Sequence, residues 1–114
     1  MNESILTSIK KLLGITEEYE HFDADIIMHI NTVFMVLMQL GVGPVNGFTI
    51  SDADAVWSDF LTSPKQLEAV KTYMYLRVRL LFDPPQTANV VQAMENQISE
   101  LAFRLSVEVD PGEM

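Results

Sequence analysis

The stretch from residue 72 to residue 86, TYMYLRVRLLFDPPQ, decides how the chain is read. As far as Phe82 it is a helical run with apolar side chains on nearly every side, and Asp83-Pro84-Pro85 then ends it. The residue before a proline disfavours the α region, and neither proline donates an amide hydrogen. Upstream, Ser63-Pro64 offers an N-cap with proline at the first helical position, which predicts a helix from Pro64 to about Phe82. Glu68, Thr72, Arg79 and Asp83 share one side of it, and Arg79 has Asp83 within i,i+4 reach. Arg77 falls inside the apolar arc, between Tyr73 and Val70. An isolated buried charge is heavily penalised. Arg77 therefore needs either an internal partner or another protein chain against its flank. Arg and Tyr are the types that anchor protein interfaces, and Tyr73 and Tyr75 lie close by.

Four further helices follow outward from this one. The first is expected over about Ser4 to Leu13, with Ile5, Ile9, Leu12 and Leu13 on one face and Gly14 as the stop. The second spans about Ala24 to Leu40, with Asp23 as its N-cap and a narrow polar stripe of Asp25, His29, Thr32 and Gln39; apolar elsewhere, it must be covered on most sides and is the expected centre of the domain. Around residues 42–50, Gly43-Pro44 and Asn46-Gly47 are turn chemistry and Phe48-Thr49-Ile50 alternates, which predicts a short hairpin-like extended segment. Ser51 or Asp52 then caps a short helix, ADAVWSDFL, holding Trp57 and Phe60. The last helix is expected over about Thr87 to Leu105, with Thr87 as N-cap and a stripe of Val90, Met94, Ile98, Leu101 and Leu105. Phe103 lies on its opposite, polar side. The expected fold is all-α: a small bundle of about five helices over residues 1–105, followed by an extended acidic tail over 106–114.

At 114 residues the chain suits one compact domain, and 48% hydrophobic residues are enough to give that domain a real core. Cysteine is absent, which excludes disulfides, thiol catalysis and zinc-thiolate sites. Lys+Arg number 7 against 16 Asp+Glu, so the net charge is -9 and the surface repels nucleic acid rather than gripping it. The stretch IIMHINTVFMVLMQL, residues 26–40, falls short of the roughly 18 apolar residues a membrane span needs. No signal peptide is legible, and the protein is expected to be soluble and intracellular.

Little in the chain points to catalysis. His21, Asp25 and His29 have i, i+4, i+8 spacing, which on a continuous helix would suit a divalent metal. With Asp23 as a cap, His21 precedes the helix, so a solvated polar stripe is the favoured reading. The carboxylate pairs Glu17-Glu18, Asp23/Asp25 and Asp52/Asp54 sit at helix starts, where capping and the helix dipole account for them. GVGPVNG lacks the lysine and hydroxyl of a phosphate loop. The seven methionines read as core filler. Neither an enzyme nor a cofactor is expected.

Three stretches carry a resemblance: ILTSIKKLLGI, VKTYMYLRVRLLFDPPQ and MENQISELAFRLSVEVD. They look like the head-tail connector (adaptor) family of tailed bacteriophages. The shared pattern is a short first helix ending in Gly-Ile, an aromatic-rich helix ending in Phe-Asp-Pro-Pro, and a last helix ending in Arg-Leu. GFTISDADAVWSDFL resembles the family's middle loop and Trp-bearing helix. The chain departs at Ala102-Phe103, where relatives more often carry an acidic residue and a tryptophan. The resemblance implies a structural protein of the virion neck, assembled in the host cytoplasm. About a dozen subunits would form a ring that docks under the portal, extends the DNA channel and meets a downstream head-closure or tail protein. It implies no catalytic residue, no metal or cofactor, no membrane and no specific DNA binding. Subunit or portal contacts are expected at Tyr73, Tyr75, Arg77, Arg79, Asp83, Phe103, Arg104, Val107 and Val109, with Trp57, Pro84 and Pro85 structural. The rival reading is a small helical regulatory or inhibitor module that binds one protein partner.

Overall fold

A computed structural model describes residues 2–109 and contains five helices. These are α1 (Ile5–Leu12), α2 (Asp23–Gln39), α3 (Trp57–Phe60), α4 (Pro64–Phe82) and α5 (Ala88–Val109). The described residues form no strand or sheet, and the fold is a small all-α bundle. α4, rather than the expected α2, is the hub: α2 and α5 pack extensively on it and α1 touches both α2 and α4. Ser63 Oγ accepts from the Gln66 amide, Pro64 opens α4, and the helix stops at Phe82, one residue before Asp83-Pro84-Pro85.

The first helix turns differently from expectation. Ile5, Leu6, Ile9 and Lys10 are its buried residues, while Leu12 is half exposed. Lys10 is only 2% exposed. Its ammonium donates to the carbonyls of Glu17 (3.0 Å) and Tyr19 (2.7 Å) and lies 2.8 Å from Asp23 Oδ1. An ammonium has three hydrogens to donate, and three oxygens surround this one. Asp23 Oδ1 is itself buried and lacks a well-aligned hydrogen bond, so the nearby charge is what compensates it. This recruitment explains why Asp23 does not cap α2: it is the first helical residue, and Phe22 occupies the cap position. The acidic loop 14–22 is thereby fastened to α1.

The 42–50 segment is turn-rich, and at Ile50 its backbone pairs with a side chain rather than with a second strand. Asn31 Nδ2 donates to the Ile50 carbonyl (2.9 Å), and the Ile50 amide donates to Asn31 Oδ1 (2.8 Å). The segment thus lies along α2 and brings Phe48 against Phe34 and Phe60, with ring centroids 5.0 and 5.4 Å apart. Gly43, at φ +89°, allows the approach, since a Cβ there would sit 2.3 Å from Phe60 Cε1.

Neither Ser51 nor Asp52 starts α3. Asp52 instead closes a local turn onto the Asp54 amide, and the helix begins only at Trp57. The intervening backbone is used elsewhere, because the Ile5 amide donates to the Ala55 carbonyl and Ser4 forms an isolated bridge with Val56. Backbone already paired across to the chain start cannot also form a helical turn. Trp57 is fully buried, and its indole Nε1 donates to Ser8 Oγ at 2.9 Å. At the other end, α5 remains helical through residues 106–109, past the position where an extended tail was expected to begin. Residues 110–114 of that tail lie outside the described residues.

Candidate functional site

The residues singled out as contacts lie on α4, just past its end, and on α5. α5 lies on α4, with no other helix in comparable contact. Glu95, Ile98 and Ser99 face Arg77, Leu80 and Leu81 across an open cleft of about 390 Å³. Leu105 is the one described α5 residue that is fully buried, and Ile98, Leu101 and Ala102 pack partly against the core. Val90, expected in the inward stripe, is nearly half exposed. A 22-residue helix held along one side leaves the other side free.

Tyr73 belongs to the core and is 1% exposed. Arg77 is half-buried, donates to the Tyr73 hydroxyl at 3.1 Å, and holds its guanidinium 5.6 Å from that ring's centre. Its partner is therefore internal and neutral. Arg79 donates from Nε to the backbone carbonyl of Asp83, which closes the end of α4 rather than pairing with the carboxylate. Among the described residues neither arginine meets a carboxylate. Tyr75 lines a different groove, between α1 and α4, together with Ser8, Leu12, Trp57 and Lys71. Asp83 is exposed. Phe103 is 69% exposed, Val107 is also exposed, and Arg104 is held on the α5 surface by Glu100 at 2.8 Å. The side chain of Val109 lies outside the described part. The expected contact residues thus divide into an internal Tyr73–Arg77 pair, the Arg79–Asp83 end of α4, Tyr75 in the α1–α4 groove, and an exposed stripe of Phe103, Arg104 and Val107 on α5.

Two methionines join this exposed set. Met28 and Met35 of α2 are 57% and 53% exposed, in contrast to the core role expected of them. They lie among Asp25, Thr32 and Gln39, so the polar stripe legible in the sequence carries apolar side chains within it. Helical spacing does show that these five residues share a side. It does not show that the methionines are left uncovered.

No three His, Asp or Glu side chains converge on a cation position among the described residues. His21 stacks edge-on against Phe22 beside Tyr19, and His29 lies against Phe82. Among the described residues, the one acid with a clear shift is Glu3. Its hydrogen bond from Lys71 (2.9 Å) holds it below the ordinary 4.5, with slight burial opposing and the Lys71 charge assisting. A depressed acid contributes stability above its unfolded pKa, and that contribution is lost as pH falls through the folded value. Glu3 is 55% exposed, so Glu3→Gln is expected to lower stability by only about 0.5 kcal/mol at neutral pH. The gap between the two proteins should close as the pH drops below the folded pKa of Glu3. Urea melts from neutral to acid pH check this, and a gap that widened on acidification would contradict it.

Over residues 5–112 the sequence matches the family described as phage connector protein. The chain belongs to that family. No curated protein and no solved structure matches it significantly. For a phage connector, a structural family, the surfaces that matter are those left for other proteins. Among the described residues, the outward sides of α2 and α5 and the α1–α4 groove are left uncovered.

Proposed function

We propose that this connector forms a ring in the phage neck, where about a dozen copies dock under the portal and extend the DNA channel toward the tail. Membership of the connector family across residues 5–112 carries the reading. The shape is compatible with side-by-side assembly, as the domain is a slab of 46 × 36 × 20 Å flanked by a helix with one uncovered side. The charge supports it too. At -9 per chain, such a ring carries on the order of 100 negative charges, which keeps DNA sliding rather than bound. Among the described residues no helix is long and apolar enough to cross a membrane. Its partners are neighbouring copies, the portal on one side and a head-closure or tail protein on the other. No step in this role requires a catalytic group or a cofactor. Assembly takes place in the host cytoplasm, and the finished protein resides in the virion.

Light scattering of the purified protein across a wide concentration range, alone and then with portal, tests the proposal. The expected result is a ring of about a dozen copies, formed either alone or on the portal. A protein that stays monomeric and ignores the portal overturns it, and favours a module that regulates a single partner.

A further inference from the structure

Between Asp25 and Asp52 the chain carries no Asp, Glu, Lys or Arg. The exposed tip of that stretch is the turn Pro44-Val45-Asn46-Gly47. The Gly47 amide donates to the Pro44 carbonyl at 3.0 Å, so Val45 and Asn46 are the central residues of a β-turn, and Gly47 leaves it at φ +89°. Val45 is 85% exposed, and Asn46 is exposed beside it. Among the described residues, the bond from Gly47 to Pro44 is the only backbone hydrogen bond made by residues 43–49.

The side-chain amide of an asparagine can be attacked by the backbone nitrogen of the following residue. A side chain on that residue crowds the approach, and glycine has none. The other asparagines, Asn2, Asn31, Asn89 and Asn96, precede Glu3, Thr32, Val90 and Gln97, so each attacking nitrogen stands beside a side chain. Asn31, Asn89 and Asn96 also lie within helices, whose fixed φ and ψ keep the next amide from turning onto the side chain. Asn31 is held further by its two bonds to Ile50. No aspartate in the chain precedes a glycine. Asn46 therefore stands apart from every other residue capable of this reaction.

We propose that Asn46-Gly47 is a self-modification site of the folded protein. The Gly47 nitrogen gives up its proton and bonds to Asn46 Cγ, which closes a succinimide ring. Asn46 Nδ2 leaves as ammonia, carrying the proton that Gly47 lost. Water, the sole co-reactant, then opens the ring. Breaking the new Cγ–N bond leaves aspartate, while breaking the original peptide bond leaves isoaspartate, whose backbone runs through Cβ and Cγ. Closure requires the turn to open, and a tip held by a single hydrogen bond opens at small cost. Either product places the first carboxylate in residues 26–51 and makes the chain one charge more negative than -9. Isoaspartate also lengthens the backbone between Gly43 and Phe48, both of which rest against Phe60.

The test holds the full chain folded at mildly alkaline pH beside a second sample unfolded in urea. Peptide mapping by mass spectrometry follows every asparagine, and methyl transfer by an isoaspartyl methyltransferase detects the isoaspartate product. In the folded sample Asn46 should convert about tenfold or more faster than any other asparagine. Its rate should lie within about tenfold of that in urea, because only the tip has to open. Asn46→Gln, at an exposed position, should keep the wild-type melting temperature and take up no methyl label. If folded Asn46 is still intact when the urea-treated chain has converted, the turn protects it and the proposal is overturned. Conversion of another asparagine at equal speed, or of none in either sample, overturns it as well. So does an Asn46→Gln protein that labels like the wild type.

Discussion

Replacing Lys10 with alanine is expected to lower the free energy of unfolding by about 3 kcal/mol. The change strands the Glu17 and Tyr19 carbonyls and the buried Asp23 Oδ1 together, since all three lie within 3.0 Å of one ammonium. Breaking a buried ion pair by removing one partner costs about 3–5 kcal/mol, and the low end applies because the Asp23 side chain retains 26% exposure. In a domain of this size the melting temperature should fall by about 15 °C. Lys10→Met separates charge from packing: it keeps most of the volume but satisfies none of the oxygens, so it should cost nearly as much. The lone tryptophan, Trp57, reports unfolding directly through its fluorescence in urea. If Lys10→Met were as stable as the wild type, the ammonium would not be what holds the acidic loop.

Trp57→Ala is expected to cost about 4 kcal/mol, in the range for emptying a buried aromatic site. The indole is fully buried and borders Phe34, with ring centroids 6.5 Å apart, while Lys71 sits 5.8 Å from the ring centre. α3 has only four residues, far too few for independent helical stability, so it depends on Trp57 and Phe60 being anchored. Trp57→Phe should cost less, about 1–2 kcal/mol, because it retains a ring but loses the hydrogen bond to Ser8 Oγ. Helical circular dichroism during thermal melting measures both. A loss below about 1 kcal/mol for the alanine variant would mean that the site collapses and refills from its neighbours.

Both effects act inside one chain, whereas the proposed ring depends on what that chain leaves uncovered. The exposed aromatic of that set was legible: Phe103 stands opposite the inward stripe of α5, and it is 69% exposed. The arginines of α4 were legible as residues in need of partners, but not which partners. Arg77 found the hydroxyl and ring of Tyr73, one turn back, and Arg79 found the backbone at its own helix end. A four-residue spacing allows several acceptors, and the rotamer chosen depends on what packs alongside.

Local chemistry along the chain sets the helices and most of their boundaries. Ser63-Pro64 and Asp83-Pro84-Pro85 bracket α4, Gly14 and Gly41 follow α1 and α2, and the all-α class follows from apolar periodicity. These are local properties, set by proline's missing donor, glycine's positive φ and the helical repeat. Tertiary structure alone decided which apolar stripes are covered. It buried Lys10 and exposed Leu12, left Met28 and Met35 at the surface, turned Asp23 from a cap into an ion-pair partner, and paired Asn31 with Ile50. Periodicity states which side chains share a face. Whether that face meets another helix, a loop or a second copy depends on contacts between residues far apart in the chain.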